Sequence, residues 1–254
     1  MKNKFHKNII AEIVKTSSAK VPNKEGFGLK YVGTIKPSYH LDTKAMRKIA
    51  KDFVKSQNLS NDELINLIDS LYYGETYDEV IIAAFIVGSA KELRQNLSSE
   101  ALHHWIVNTH GWAECDVLCQ MAFDADDFLN NWAVWGKALK QFAKDTNVQV
   151  RRASLVLLTK PFRQSADSRL VKVATHNLDL LKQEKDILIT KAVSWVLRSM
   201  IKNHKDTVSE YLKENCDALP KIAVREVSTK LETGKKYINK KKASNNRQSS
   251  SKSL

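Results

Sequence analysis

Glycine and proline are scarce in this chain, eight and four among 254 residues, and a fold of many short strands needs turn residues at frequent intervals. Their shortage points to long helices. Cysteine is scarcer still: Cys115, Cys119 and Cys216 form an odd-numbered set, unsuited to a disulfide framework and consistent with a reducing compartment. No apolar run approaches the roughly 20 residues that cross a bilayer, and the Met-Lys-Asn-Lys start carries no signal-peptide core. A cytoplasmic protein that does not enter a membrane is expected. Acids are outnumbered, 28 against 41 Lys and Arg, for a net charge of +13; such a field gathers polyanions and makes nucleic acid the leading partner class.

Hydrophobic residues make up 43% of the chain, enough for a core and for one large domain, read here as residues 1–234. Residues 235–254 carry seven of the positive charges and no acid, which leaves +6 for the body. With too little apolar content to bury, that basic tail is expected to be disordered.

KNIIAEIVK reads as a first amphipathic helix, and residues 17–42, which mix Gly, Pro and Ser with scattered aromatics, read as a loop. The GFG within it has no preceding strand and no following Lys-Ser/Thr, so a phosphate-binding loop is rejected. From residue 41 onward, apolar residues recur every three and four positions, with Asp42 and Asn61 as N-caps. The spacing predicts helices over 43–57, 61–72, 77–94, 98–108, 112–122, 126–143, 148–160, 167–181, 185–203, 205–217 and 220–232. Nothing alternates with a period of two.

Sliding the chain by 39 residues lays VRRASLVLL on ITKAVSWVL, so that Val150 meets Ile189, Ala153 meets Ala192, Leu157 meets Val196 and Leu158 meets Leu197. That offset is near the roughly 40-residue period of HEAT-type repeats. An all-α, HEAT-like helical-repeat solenoid follows, in which stacked hairpins share a core and leave one curved, basic face lined by equivalent helices. In this register Lys191 is equivalent to Arg152. Lys191, Trp195 and Arg198, spaced i, i+4, i+7, share one stripe. Trp112 and Asp116 share a helix face, and Asp116 falls three positions from the Arg152 register. Each has a bland reading as well: a core indole, a solvated acid, an arginine in a surface ion pair. Trp195 sits between Val193 and Val196, where burial is the ordinary explanation.

Other constellations carry less. His103, His104, His110, Cys115 and Cys119 are zinc-ligand types in no standard zinc spacing, and the two cysteines read as small buried residues. The acidic FDADDF lacks the glycine and terminal glutamate of a calcium loop and reads as a helix start. Trp132 and Trp135 read as packing.

The order of GWAECD, NVQVRRA and KAVSWVLR resembles the AlkD-like branch of the DNA alkylation repair proteins, which are HEAT-like-repeat DNA glycosylases. The resemblance runs over about residues 40–232. It implies hydrolysis of the N-glycosidic bond of cationic alkylated purines, of the 3-methyladenine and 7-methylguanine type, in duplex DNA without base flipping. It also implies Asp116 as the catalytic carboxylate, Arg152 on backbone phosphate, and Trp112 and Trp195 as an aromatic cleft. The expected DNA-contacting set is Arg152, Arg151, Lys191 and Arg198. The family's N-terminal aromatic contact falls among Phe27, Tyr31 and Tyr39 without a choice. A monomer without metal or cofactor is expected, cytoplasmic and nucleoid-associated when on DNA. The alternative is a non-catalytic module of the same fold that recognises DNA structure.

Overall fold

A computed structural model describes residues 4–25 and 27–237; the expected disordered stretch of the tail from 238 onward lies outside them. Fifteen helices account for the described chain. In order they are α1 (Lys4–Thr16), α2 (Phe27–Val32), α3 (Thr43–Ser56), α4 (Asn61–Tyr72), α5 (Tyr77–Ser89), α6 (Lys91–Gln95), α7 (Ser99–Val107) and α8 (Trp112–Ala122). Then follow α9 (Ala125–Asn130), α10 (Trp132–Phe142), α11 (Val148–Gln164), α12 (Ser168–Leu181), α13 (Ile187–Met200), α14 (Lys205–Asn215) and α15 (Lys221–Thr233). The described residues contain no strand, only an isolated bridge between Asn23 and Ser38.

The helices stack in two layers. α3, α5, α8, α11, α13 and α15 pack each on the next as an inner row, while α4, α7, α10 and α12 follow one another outside it. Burial matches those places. Every residue of α5 from Asp78 to Val87 is buried, as a helix covered on several sides requires, whereas the outer, polar α14 buries only Val208, Tyr211 and Leu212. One continuous apolar core runs from Ile9 to Val227 between the layers. The HEAT-like solenoid expected from the 39-residue offset is thus the fold.

Local chemistry sets the helix ends. Asp42 caps α3, its carboxylate accepting from the Ala45 N–H at 2.6 Å. The cap of α4 is Ser60, not Asn61: its hydroxyl accepts from the Glu63 N–H while Glu63 reaches back to the Ser60 N–H, and Asn61 is the first helical residue. In FDADDF, Asp124 precedes α9 and its N–H donates to Asp127.

Four further readings change. Residues 77–94 form two helices, because Arg94 turns back and donates to the carbonyl of Gly88 at the end of α5 (2.6 Å), with Asp127 holding its other edge. Residues 126–143 likewise divide at Asn131. The helix expected to stop at 160 runs through Pro161 to Gln164. Proline removes one internal hydrogen bond, but Phe162 is fully buried and Ser165 donates to the Pro161 carbonyl, so packing outweighs the loss. Finally, the segment read as a loop contains α2, and that short helix shapes the site below.

A candidate aromatic and ionic cleft on the inner row

The geometry starts at Gly111, where the chain enters α8 beneath the loop that leaves α2. A Cβ on Gly111 would lie 2.2 Å from the carbonyl oxygen of Val32 and 2.8 Å from the carbonyl carbon of Gly33, so only glycine lets the two backbones cross. Gly33 turns that loop with φ +77°. The crossing is then pinned by the buried Glu114, which accepts from the Thr34 hydroxyl and, at 2.8 Å, from the His110 N–H.

This crossing delivers Tyr31. Its ring stands edge-on to Trp112, centroids 5.4 Å apart at 85°, and its carbonyl accepts from the Trp112 indole N–H at 2.8 Å. Such an edge contact contributes about 0.5–1.5 kcal/mol beyond area burial. Trp112 is half-buried, so its remaining surface is open. Of the N-terminal aromatics left undecided whose side chains are described, Tyr31 lines the cleft. Tyr39 packs against the core instead, and the Phe27 side chain lies outside the described residues.

One turn along α8, Asp116 points to α11. Arg152 meets it with two parallel bonds, Nε to Oδ1 and Nη2 to Oδ2, both 2.8 Å. Its Nη1 donates to the carbonyl of Leu188 in the first turn of α13. Asp116 is 7% exposed and Arg152 4%. Burial pushes the Asp116 carboxyl above the ordinary aspartate range; the hydrogen bond and charge of Arg152 pull the other way without cancelling it. Burial opposes the charge of Arg152 too, but Asp116 outweighs it and the arginine is held more firmly protonated than usual. The pair is a fixed, nearly dry ionic unit tying three successive inner helices together.

Above it opens a cleft of about 670 Å³ whose lining includes Tyr31, Trp112, Asp116, Arg152, Lys191, Trp195 and Arg198. Trp195 is half-buried: it packs against the core, as its flanking valines suggest, and also lines the cleft. Lys191 is exposed on the same stripe. The structure therefore brings together six of the seven residues singled out in the sequence.

The seventh is Arg151, which the structure turns away from the cleft. Its guanidinium meets Glu184 at 2.8 and 3.1 Å and the carbonyls of Asp145 and Thr146 at 2.9 Å each, clamping inter-helix loops. Successive helical residues diverge by about 100°, so Arg151 and Arg152 cannot share a face. Arg152, expected on phosphate, spends three of its five N–H groups on Asp116 and Leu188.

Sequence reasoning missed Glu226 and the pair Lys236 and Tyr237, which close the far end of the cleft. Nothing marks Glu226 among the acids of an amphipathic helix. Lys236 and Tyr237 belong to the stretch assigned to the tail, yet both lie within 3.4 Å of Glu226. Among the described residues no group of three or more His, Cys, Asp or Glu is placed to hold a metal ion. Cys115 and Cys119 are buried, Cys115 donating to the Gln149 carbonyl. Trp135 is buried against Phe123 and Phe128. Among the described residues no helix is long and apolar enough to cross a membrane.

Comparison with known proteins then gives three findings. The family model described as DNA alkylation repair enzyme matches residues 19–231. A search of curated proteins returned no match. Among solved structures the chain is similar to the Pseudomonas fluorescens alkylpurine DNA glycosylase AlkC bound to DNA containing an abasic site analog. Identity is 14% and the TM-score 0.51, over 89% of this chain and 62% of that one, so the likeness is one of fold and this chain spans under two thirds of that protein.

Proposed function

The chain belongs to the DNA alkylation repair enzyme family, and from that premise we propose that it is an alkylpurine DNA glycosylase acting on cationic N3- and N7-alkylated purines in duplex DNA. The observation that carries this reading is the carboxylate of Asp116, fixed by Arg152 at the floor of a cleft walled by Trp112 and Trp195. An alkylated purine of this kind bears a positive charge. When its glycosidic bond breaks, the bonding pair goes to the ring nitrogen, the base leaves neutral, and the positive charge passes to the deoxyribose. No acid is needed for the leaving group. What the reaction needs is negative charge beside C1′, followed by attack of water and loss of its proton, and a preorganised carboxylate in a nearly dry site supplies the charge.

The half-buried indoles suit the same substrate. An indole face attracts a cation by about 0.5–2 kcal/mol, so Trp112 and Trp195 favour an alkylated nucleotide over a neutral one. Lys191 and Arg198 offer positive charge to the strand. In this proposal the sugar and backbone are gripped in the open cleft rather than the base in a deep pocket, so flipping is not required. The domain proposed over 1–234 works as a monomer in the cytoplasm, and Lys236 and Tyr237 extend it by their contacts with Glu226.

A second reading rests on the same pair. Both oxygens of Asp116 are already engaged, so its charge is neutralised at short range; a non-catalytic module that binds DNA structure accounts for that equally. The two part company in one measurement, release of 7-methylguanine from methylated duplex DNA by the purified chain and by Asp116→Asn. Release by the wild type alone supports the glycosylase; tight duplex binding with no release supports the module.

A further inference from the structure

At the far end of the cleft, one buried acid gathers four donors. Glu226 is 3% exposed. Its Oε2 accepts from the Ser194 hydroxyl at 2.7 Å and lies 3.3 Å from Nε of Arg198. Its Oε1 lies 3.4 Å from Nζ of Lys236 and accepts from the Tyr237 hydroxyl at 3.3 Å. Burial pushes the Glu226 carboxyl up, but the Ser194 bond and the charges of Arg198 and Lys236 outweigh it and leave it below the usual carboxylate range. It is therefore a firm counterion shared by two cations, and the group keeps one net positive charge.

Arg198 is held differently from the paired arginines nearby, and differently from Arg94, whose Nε, Nη1 and Nη2 are all engaged, by Asp127, Gly88 and Asp124. Arg152 on Asp116, Arg151 on Glu184 and Arg169 on Asp167 each present Nε and Nη2 side by side to one carboxylate, which is how an arginine is spent on structure. Arg198 is tied back through Nε alone, by Ser194 at 3.2 Å and by Glu226. Neither Nη forms a hydrogen bond with any described residue. Four N–H donors are thus left over on a side chain that lines the cleft. A planar donor pair whose own stem is anchored is suited to a tetrahedral oxyanion, and in a basic cleft on a DNA-repair fold that oxyanion is a backbone phosphodiester.

We propose that Arg198 and Lys236 form a phosphate subsite separate from the Asp116 and Arg152 centre, with Glu226 as the positioning residue that aims Arg198. The inference rests on the DNA reading above and deepens it. Ten residues of α13 separate Leu188, whose carbonyl Arg152 holds, from Arg198; at 1.5 Å per residue that is about 15 Å. The subsite would grip the strand along the same α13 stripe, one helical turn beyond Trp195. It also makes Lys236 and Tyr237 part of the binding surface.

The test is fluorescence-anisotropy titration of an undamaged 20-mer duplex at several salt concentrations, with thermal melting of each variant as the check on folding. Arg198→Ala should weaken binding about tenfold, as for loss of a charged hydrogen-bond set, and lower the salt slope by about one. Glu226→Gln is the discriminating variant. It removes a negative charge, so simple electrostatics requires tighter binding, whereas loss of positioning requires weaker binding, by several-fold; that loss should vanish in an Arg198→Ala background. Should Glu226→Gln fail to fold, Ser194→Ala removes another tether of Arg198 Nε and should weaken binding in the same Arg198-dependent way. Binding by Glu226→Gln as tight as wild type or tighter, or equal weakening in both backgrounds, overturns the proposal while leaving the glycosylase reading untouched. A wild-type chain with no salt-sensitive duplex affinity overturns both.

Discussion

Asp116 and Arg152, 36 residues apart, form a two-pronged ion pair in which each carboxylate oxygen lies 2.8 Å from a guanidinium nitrogen. Because both groups are buried, the pair cannot be dissected by deleting one half cheaply. Removal of one partner from a buried pair costs about 3–5 kcal/mol, and in a chain of this size each kcal/mol moves the thermal midpoint by about 2–4 °C. Arg152→Ala should therefore melt about 10 °C below the wild type. Adding Asp116→Asn should recover part of that, since no bare carboxylate then remains. An Arg152→Ala variant with the wild-type midpoint would show that the pair contributes nothing to the fold.

Asp116→Asn alone tests the chemistry. The amide keeps the shape but supplies no charge to the sugar cation, and loss of such a stabilising group slows reaction by about 100- to 1,000-fold. The measurement is single-turnover release of 7-methylguanine, with spontaneous depurination subtracted. Equal release by both proteins removes Asp116 from the mechanism.

The acid limb of the pH profile follows from burial. Burial carries the Asp116 carboxyl above its ordinary value of 3.8, and the ionised form is the active one. Release should thus be lost as pH falls through a midpoint above 3.8, the raised value of the folded protein, and should be level above it. A midpoint at or below the ordinary aspartate value would contradict the assignment.

Trp112 and Trp195 should each matter through charge. Replacing either with alanine should slow release of a cationic purine by about 2- to 30-fold, the range that 0.5–2 kcal/mol of cation–π attraction spans. Trp112→Phe, which keeps an aromatic face but loses the N–H donated to Tyr31, should fall between. If affinity for undamaged duplex drops as much as the rate on methylated DNA, the indoles are packing surfaces rather than readers of charge.

Gly111→Ala probes the crossing that brings Tyr31 into place. A methyl group 2.2 Å from the Val32 carbonyl forces the 31–34 loop away, at an overpacking cost of about 1–3 kcal/mol. The midpoint should drop by several degrees, about 2–10 °C, and Trp112 fluorescence should shift as the edge contact with Tyr31 opens. Unchanged fluorescence would mean that the loop accommodates the methyl without moving.

Much of this site was legible beforehand, for a physical reason. A 3.6-residue period is a local property, so the sequence alone places Trp112 with Asp116 on one face and Lys191, Trp195 and Arg198 on one stripe, and the 39-residue echo between α11 and α13 announces stacked hairpins. The all-α class and the repeat architecture rest on nothing more; the assignment of Trp195 to an aromatic cleft with Trp112 rests on the family resemblance as well.

What spacing could not decide is which partner a side chain meets across helices, because that depends on how neighbouring hairpins stack. Packing sends Arg152 to Asp116 and Leu188 while its neighbour Arg151 turns to Glu184. It also carries a helix through Pro161, draws Tyr31 over Gly111 out of a stretch read as loop, and closes Glu226 around Arg198 and Lys236. These contacts join residues about 10 to 80 positions apart, and their geometry is fixed only when the layers close.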